Sequence, residues 1–129
     1  MPPRTHYFDN SLLLVDALYE RIAALARSRL EQQGYFSIVL AGGTTPRQLY
    51  QQLRHLPTDW RGWHIYFGDE RYLPAGDPAR NDSMAATAWL DHVAIPVAQI
   101  HRIPTDENVN TAAAFYASVL QQAPGFDLA

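Results

Sequence analysis

The 129-residue chain contains no cysteine and no lysine. Without cysteine, disulfide scaffolds, thiolate nucleophiles and cysteine-based zinc sites are excluded within these residues, and a reducing compartment is compatible with the composition. Without lysine, Schiff-base chemistry is excluded, and the 10 basic side chains are all arginine. Arginine binds carboxylate and phosphate groups through planar, paired hydrogen bonds. The basic residues therefore favour anion binding over nucleophilic catalysis.

An excess of positive charge and long apolar segments are also missing. The net charge of -3 and the pI of about 5.9 provide no basic field that would attract nucleic acid or an anionic membrane. No apolar run approaches the ~18 residues of a membrane span. The N-terminal residues 1–6 lack the basic and then apolar layout of a signal peptide. We therefore expect no nucleic-acid partner, no membrane partner and a cytoplasmic location.

The histidines show no metal-ligand spacing. No His-Glu-x-x-His motif or comparable cluster occurs among the five of them, which are His6, His55, His64, His92 and His101. Surface or strand positions explain them better than a metal site or a catalytic role. Similarly, the aromatic residues are expected in packing and not in a base-stacking platform; these are Trp60, Trp63, Tyr66, Tyr72 and Trp89.

The chain has the composition of a folded protein, with 47% hydrophobic and 18% charged residues. Its length suits one domain, so residues 1–129 are predicted to form a single α/β domain. Apolar residues at helical spacing predict a helix over Ser11–Gln33, ended by Gly34 in a left-handed turn. The apolar, β-branched run Tyr35–Leu40 predicts a central parallel strand that is covered on both faces.

Further elements alternate along the rest of the chain. After a β-like opening at Tyr7-Phe8, the predicted strands include Trp63–Phe67, Gln99–Ile103 and Phe126–Ala129, and the predicted helices are Thr45–Leu53, Asn81–Val93 and Asn108–Gln122. This alternation predicts an α/β sheet that is mostly parallel, with flanking helices. Because the chain stops within the last predicted strand, the sheet is expected to be unfinished and the domain to continue in a longer protein.

A glycine turn follows the first strong strand. In Ala41-Gly42-Gly43-Thr44-Thr45-Pro46, two glycines lead directly into a helix, so backbone N–H groups can approach an anion without a Cβ in the way. Thr45 and Gln48 match a capping box, and Pro46 suits the first helical position. The unpaired N–H groups of a helix start bind phosphate readily. A tight turn with a capped helix explains the same residues, and the run is neither a Walker loop nor a dinucleotide fingerprint.

A charged loop follows the second strong strand. Asp69-Glu70-Arg71 lies just after Trp63–Phe67, at the sheet edge where open α/β folds bind ligands. Arg71 can hold phosphate or a developing oxyanion, and Asp69 or Glu70 can orient hydroxyls, position water or transfer protons. A solvated turn with a local pair between arginine and carboxylate is the alternative. Asn81, Asp82 and Ser83 are weaker candidates, since capping of the following helix accounts for them.

These segments resemble the glucosamine-6-phosphate isomerase and 6-phosphogluconolactonase superfamily, on its lactonase branch. The resemblance is carried, in order, by the segments 36–46, 68–74 and 81–83. It implies a Rossmann-like fold, no metal or organic cofactor, and hydrolysis of 6-phospho-glucono-1,5-lactone to 6-phosphogluconate in the pentose phosphate pathway. It also implies that Gly42, Gly43, Thr44 and Thr45 contact the phosphate end of the substrate.

The resemblance further implies that Arg71 stabilises charge or binds phosphate and that Asp69 lines the sugar site, with Glu70 and Asn81 as additional substrate contacts. The deaminase branch typically has Asp-Glu-Tyr where this chain has Asp-Glu-Arg, so Arg71 favours the lactonase branch. The family's Gly-x-Gly-x-Asp-Gly-His turn, whose histidine is taken as the general base, would lie beyond Ala129. The chain alone is therefore expected to be weakly active or inactive.

Three alternatives remain open at this point. The first is a glucosamine-6-phosphate isomerase or deaminase with Asp69 as the base, and the second is a non-catalytic domain that binds sugar phosphates. The third is a pseudo-enzyme or an unstable fragment, because an unfinished parallel sheet leaves an exposed edge. The sequence predicts a small sugar phosphate as the partner and does not indicate an oligomeric state.

Overall fold

A computed structural model of the chain describes residues 11–104, without the side chains of Ser11 and Leu12. The predicted elements at Tyr7-Phe8, Asn108–Gln122 and Phe126–Ala129 lie outside the described residues. Within them, three helices and three strands alternate as α1 (Ser11–Gln33), β1 (Phe36–Leu40), α2 (Thr44–Leu53), β2 (Trp63–Phe67), α3 (Asn81–Ala88) and β3 (Ile100–His101). Single 3-10 turns lie at Trp60–Gly62, Leu90–His92 and Val97–Gln99.

The three strands form a parallel sheet in the order β1-β2-β3. Phe36 pairs with Trp63 and Leu40 with Phe67, while Ile65 pairs with Ile100. The sheet is therefore Rossmann-like, with parallel strands joined through helices, as predicted. In the described part, however, β2 is the middle strand and β1 lies at one edge, so the central position predicted for β1 is not confirmed there.

One face of the sheet carries the hydrophobic core. Side chains alternate between the two faces of a sheet along each strand. The apolar residues Phe36, Ile38 and Leu40 of β1 pair with Trp63, Ile65 and Phe67 of β2. They share one face of the sheet with the apolar residues of α1, α2 and α3. The buried set includes Val15, Ile22, Ala26, Phe36, Ile38, Leu40, Leu49, Leu53, Trp63, Ile65, Phe67, Ala85 and Trp89. Trp63 packs between Phe36 and Trp89, with ring centroids 4.8 and 5.7 Å apart. The predicted packing role of Trp63 and Trp89 is confirmed, whereas Tyr72 is 55% exposed.

The C-terminal end of α1 follows a local rule. Gly34 has φ 85°, and its N–H bonds to Leu30 O at 3.1 Å, which ends α1 in the predicted left-handed turn. The predicted third helix is shorter than expected, since Trp89 leaves helical geometry and a 3-10 turn follows at Leu90–His92. Likewise, the predicted strand Gln99–Ile103 is reduced to Ile100–His101.

Candidate functional site at the carboxyl edge of the sheet

The carboxyl ends of β1 and β2 lie side by side. Gly68 N–H, at the end of β2, donates to Leu40 O, at the end of β1, over 3.0 Å. The glycine turn after β1 and the acidic loop after β2 are thereby placed at the same edge. The structure thus brings together the two segments that the sequence analysis expected to converge.

Gly43 sets the start of α2. Its φ of 112° lies in the region that favours glycine, and its carbonyl accepts the N–H of Arg47 at 3.1 Å. Gly43 is the N-cap and makes no side-chain cap hydrogen bond, so the predicted capping box of Thr45 and Gln48 is wrong. Pro46 is the third helical residue instead of the first. Proline is tolerated there because the first-turn N–H groups have no intrahelical partner.

The edge exposes the groups that an anion would contact. Gly43 and Thr44 are exposed, while Gly42 and Thr45 are half-buried. The first N–H groups of α2 are those that a helix leaves without an intrahelical partner, and the positive end of the helix dipole lies with them. This arrangement is suited to a phosphate group.

Tyr50 fastens the glycine turn to α2, a contact that the sequence analysis did not predict. Its hydroxyl donates to Ala41 O at 2.9 Å and accepts from Ala41 N–H at 3.1 Å. Burial raises the pKa of Tyr50 to about 12, although its hydrogen bond to the Ala41 backbone acts in the opposite direction. Tyr50 therefore stays protonated and keeps both contacts at any physiological pH.

Asn81 joins the two halves of the edge. Its Nδ2 donates to Asp69 O at 3.2 Å and to Asp69 Oδ1 at 3.3 Å. On its other side, the Asn81 side chain packs against Gly42, where a Cβ would collide with it. Gly42 is therefore required for this close approach, which is a packing reason that the turn motif alone did not indicate.

Glu70 caps α3 from across the loop. Its carboxylate accepts the N–H groups of Asn81 at 2.5 Å and Asp82 at 2.8 Å. The N-cap position belongs to Arg80, which makes no side-chain cap hydrogen bond. The prediction that Asn81, Asp82 or Ser83 caps this helix is therefore wrong, because a distant carboxylate already occupies the helix end.

Arg80 is the buried residue that the sequence analysis missed. Its side chain is 2% exposed, and its guanidinium donates to both carboxylate oxygens of Asp82, at 3.0 and 2.7 Å. It also donates to Leu73 O and Ile103 O. The loop 68–80 is thus tied to α3 and to the chain after β3. No local sequence pattern distinguishes this arginine from the exposed ones.

Two pKa shifts follow from this cluster. The hydrogen bonds to Asp82 raise the pKa of Arg80 above its ordinary value despite its burial. Burial would by itself raise the pKa of Asp82, but the hydrogen bonds and charge of Arg80, with the charge of Arg102, hold it below its usual range. Both groups are therefore charged at neutral pH.

Arg71, unlike Arg80 and Asp82, is not buried. Its residue is exposed, and its backbone N–H donates to Glu70 Oε1 at 2.7 Å. Among residues 11–104, no ion pair joins Arg71 to Asp69 or Glu70; instead Glu70 lies 3.8 Å from Arg80. The local pair considered as the alternative explanation of this triplet is therefore not found in the described residues, and Arg71 is an exposed residue next to the buried carboxylate of Glu70.

Two histidines, His64 and His101, lie on strands β2 and β3. His101 stacks on Tyr66 with ring centroids 4.4 Å apart. The ring centroids of His64 and His101 are 6.3 Å apart. Burial lowers the pKa of both histidines, and the charge of His64 lowers that of His101 further. Within the described part of the chain, no group of three His, Asp or Glu residues is arranged to hold a metal ion.

Two cavities in the described part border the loop 68–80 and α3, and not the glycine turn. One, of about 660 Å³, is lined by Arg80, Asp82 and Arg102 among others. Another, of about 510 Å³, lies between α2 and α3 beside Arg47 and Arg54. Neither has Gly42, Gly43 or Asp69 in its lining, whereas a smaller cavity of about 220 Å³ borders the glycine turn at Ala41 and Pro46. Over residues 11–104, no helix is long and apolar enough to cross a membrane.

These features define a class of protein: an α/β domain with a parallel sheet, in which a glycine turn at a helix start and an acidic loop lie side by side at the carboxyl ends of the strands. A family model described as glucosamine-6-phosphate isomerases/6-phosphogluconolactonase matches residues 9–129. The chain belongs to this family.

Individual relatives agree with the family match. The chain is 40% identical over 126 residues to a 6-phosphogluconolactonase of Nostoc sp., covering 86% of this chain and 52% of the relative. It is 32% identical to a 6-phosphogluconolactonase of Synechocystis sp., covering 99% and 57%. A crystal structure of a 6-phosphogluconolactonase from Thermotoga maritima matches with a TM-score of 0.80 at 26% identity, covering 87% and 52%. The chain thus spans about half the length of these relatives.

Proposed function

We propose that the protein containing this chain hydrolyses 6-phospho-glucono-1,5-lactone to 6-phosphogluconate, a step of the pentose phosphate pathway. The observation that carries the proposal is the contact of Asn81 with both Gly42 and Asp69, which joins the glycine turn to the acidic loop. This occurs in a chain of the glucosamine-6-phosphate isomerase and 6-phosphogluconolactonase family, and the relatives described above are named 6-phosphogluconolactonase. The substrate class that follows is a small sugar phosphate.

In the proposed reaction, the phosphate group binds at Gly42, Gly43, Thr44 and Thr45, where N–H groups and hydroxyls are available. Arg71 supports phosphate binding or the charge that develops at the carbonyl oxygen, and Asp69 lines the sugar. Water then attacks the lactone carbonyl and loses a proton to a base, after which the ring C–O bond breaks and the ring oxygen gains a proton. The product is the open-chain acid, and no metal or organic cofactor takes part.

The proposal places the general base outside residues 1–129, so the complete activity belongs to a domain of about the relatives' length. The share of each relative that the chain covers supports this division. General-base loss lowers rates by about 10² to 10⁴. We therefore propose that the chain alone is weakly active or inactive. We further propose that the protein is cytoplasmic and that residues 1–129 belong to a single α/β domain.

The experiment compares the complete translation product with the 129-residue chain. Hydrolysis of the lactone is measured against its spontaneous rate, and isomerisation or deamination of glucosamine 6-phosphate is measured in parallel. We expect the complete protein alone to hydrolyse the lactone well above background. Turnover of glucosamine 6-phosphate would instead favour the isomerase branch, and binding of sugar phosphate without turnover would favour a non-catalytic binding domain.

A further inference from the structure

The carboxylate of Glu70 lies at the centre of the candidate site, yet it is not accessible from solvent. Its side chain is 1% exposed. Oε1 accepts the N–H groups of Arg71 at 2.7 Å and Asn81 at 2.5 Å, and Oε2 accepts that of Asp82 at 2.8 Å. Both oxygens are thus engaged by backbone groups, and a bound sugar would have to displace them.

The buried charge of Glu70 is compensated by its surroundings. The guanidinium of Arg80 lies 3.8 Å from Oε2, and the N-terminus of α3 presents N–H groups that have no intrahelical partner. A carboxylate is stabilised at this end of a helix by those N–H groups and by the helix dipole. Glu70 therefore has a strongly defined position, although it comes from a different segment than the helix that it caps.

The two residues assigned to the substrate are the immediate neighbours of Glu70 along the chain. On one side, the backbone carbonyl and the carboxylate of Asp69 both accept hydrogen bonds from Asn81 Nδ2. On the other side, the backbone N–H of Arg71 is held by Glu70 Oε1. The first turn of α3 therefore contacts Asp69 and Glu70 directly, and through Glu70 it holds Arg71.

We propose that Glu70 is a positioning residue, which docks the turn 68–71 on the N-terminus of α3 and so places Asp69 and Arg71 opposite the glycine turn. This positioning role differs from the direct contact with the substrate that the family resemblance implied for Glu70. The expected effect on kcat/KM rests on the proposed function. The docking of the turn on α3 is a property of the folded chain and does not depend on that function.

The first test measures docking without turnover, in the complete protein. E70Q keeps the size of the side chain, but its amide offers one oxygen and one NH₂ group, so it cannot accept at both Oε positions. We expect the N–H groups of Asn81 and Asp82 to exchange with solvent at least about tenfold faster in E70Q. The N–H groups of Ile38 and Ile65 serve as internal controls, because they lie in paired strands. Unchanged exchange at Asn81 and Asp82 would overturn the proposal.

The second test measures kcat/KM for the lactone, with variants that separate positioning from stability. E31Q makes the same chemical change at an exposed site on α1 and is expected to remain within twofold of wild type. D82N weakens the same Arg80 cluster but leaves the three N–H groups bound to Glu70. We expect kcat/KM of E70Q to fall at least about tenfold, and to fall further than in D82N at a similar loss of Tm.

The outcomes are distinct. Wild-type kcat/KM in folded E70Q would overturn the positioning role, as would losses in E70Q and D82N that simply follow their Tm values. If E70Q does not fold, E70D retains the charge beside Arg80 but is one methylene shorter, so the same exchange and rate changes are expected and wild-type values would overturn the proposal. Failure of the wild-type protein to hydrolyse the lactone would overturn the proposed function, while the exchange rates would still decide the docking role of Glu70.

Discussion

Gly42 and Asn81 are in direct contact across the carboxyl edge of the sheet, so that a methyl group on Gly42 would lie 2.8 Å from Asn81 Cγ. The two residues come from different loops, 39 positions apart in the printed sequence. Their contact fixes the separation between the glycine turn and Asp69, which Asn81 also holds. The most direct tests of the site therefore begin with this pair.

The variant G42A is expected to lower the free energy of unfolding by about 1–3 kcal/mol, because the added methyl group overpacks the contact. Urea denaturation measures the loss. G68A is the matched control at the same edge, since a methyl group there would lie 3.4 Å from the side chain of Val39, and a smaller loss is expected.

A double-mutant cycle separates this clash from a general effect of alanine in the turn. N81A removes the atoms that the new methyl group would meet, so G42A/N81A should be less destabilised than the sum of the single variants, with a coupling of at least about 0.5 kcal/mol. Strictly additive losses would contradict the contact.

The variant Y50F tests how firmly the glycine turn is attached to α2. It removes the hydroxyl that bonds both Ala41 N–H and Ala41 O, and a loss of about 1–2 kcal/mol is expected in chemical denaturation. Because the pKa of Tyr50 is raised to about 12 in the folded state, its contribution is complete below the unfolded value of ~10 and is lost as pH rises through about 12. The difference between Y50F and wild type should therefore shrink at alkaline pH. A difference that stays constant from pH 8 to 12 would argue against the hydrogen bonds.

The order of the main elements and the C-terminal end of α1 could be predicted from the sequence because they follow from local patterns. The apolar spacing of α1, the β-branched run of β1 and the flanking glycines are short-range signals, and the rule for parallel strand ends then placed Asp69 beside the glycine turn. The contacts of Glu70 with α3 could not be predicted in this way. They join residues that lie 11 and 12 positions apart through an irregular loop, and the path of that loop depends on the buried Arg80. The incorrect cap at Asn81 has the same origin, since the Glu70 carboxylate occupies that helix end, whereas the cap at Thr45 is wrong because α2 begins earlier, with Gly43 as its N-cap.

The buried pair of Arg80 and Asp82 gives the chain a defined response to acid. The pKa of Asp82 is lowered in the folded state, so its contribution to stability is present above the unfolded value of ~3.9 and is lost as pH falls through its lower folded pKa. D82N is expected to lower the free energy of unfolding by about 2 kcal/mol at pH 7, as hydrogen bonds to a charged group are weakened. The gap between wild type and D82N should begin to narrow as the pH falls below about 4. D59N is the control, because the pair of Asp59 and Arg61 is exposed and contributes little. A gap that persists unchanged at pH 3 would contradict this role of Asp82.

Arg71 provides the sharpest test of the proposed substrate site, because the residue is exposed while its backbone N–H donates to Glu70 Oε1. Removal of a hydrogen bond between charged groups costs about 1.5–3 kcal/mol, so R71A is expected to lower kcat/KM for the lactone by roughly 10- to 100-fold. R71K should recover part of the loss, since lysine keeps the charge but not the paired geometry.

If Arg71 binds the phosphate of the substrate, KM should carry most of the change, and the product 6-phosphogluconate should inhibit R71A more weakly than wild type. If Arg71 stabilises the charge at the carbonyl oxygen, kcat should fall and inhibition by the product should remain. R61A, which removes an exposed arginine from the pair with Asp59, is expected to match wild type in both parameters. An R71A protein with wild-type kcat and KM would remove Arg71 from the site.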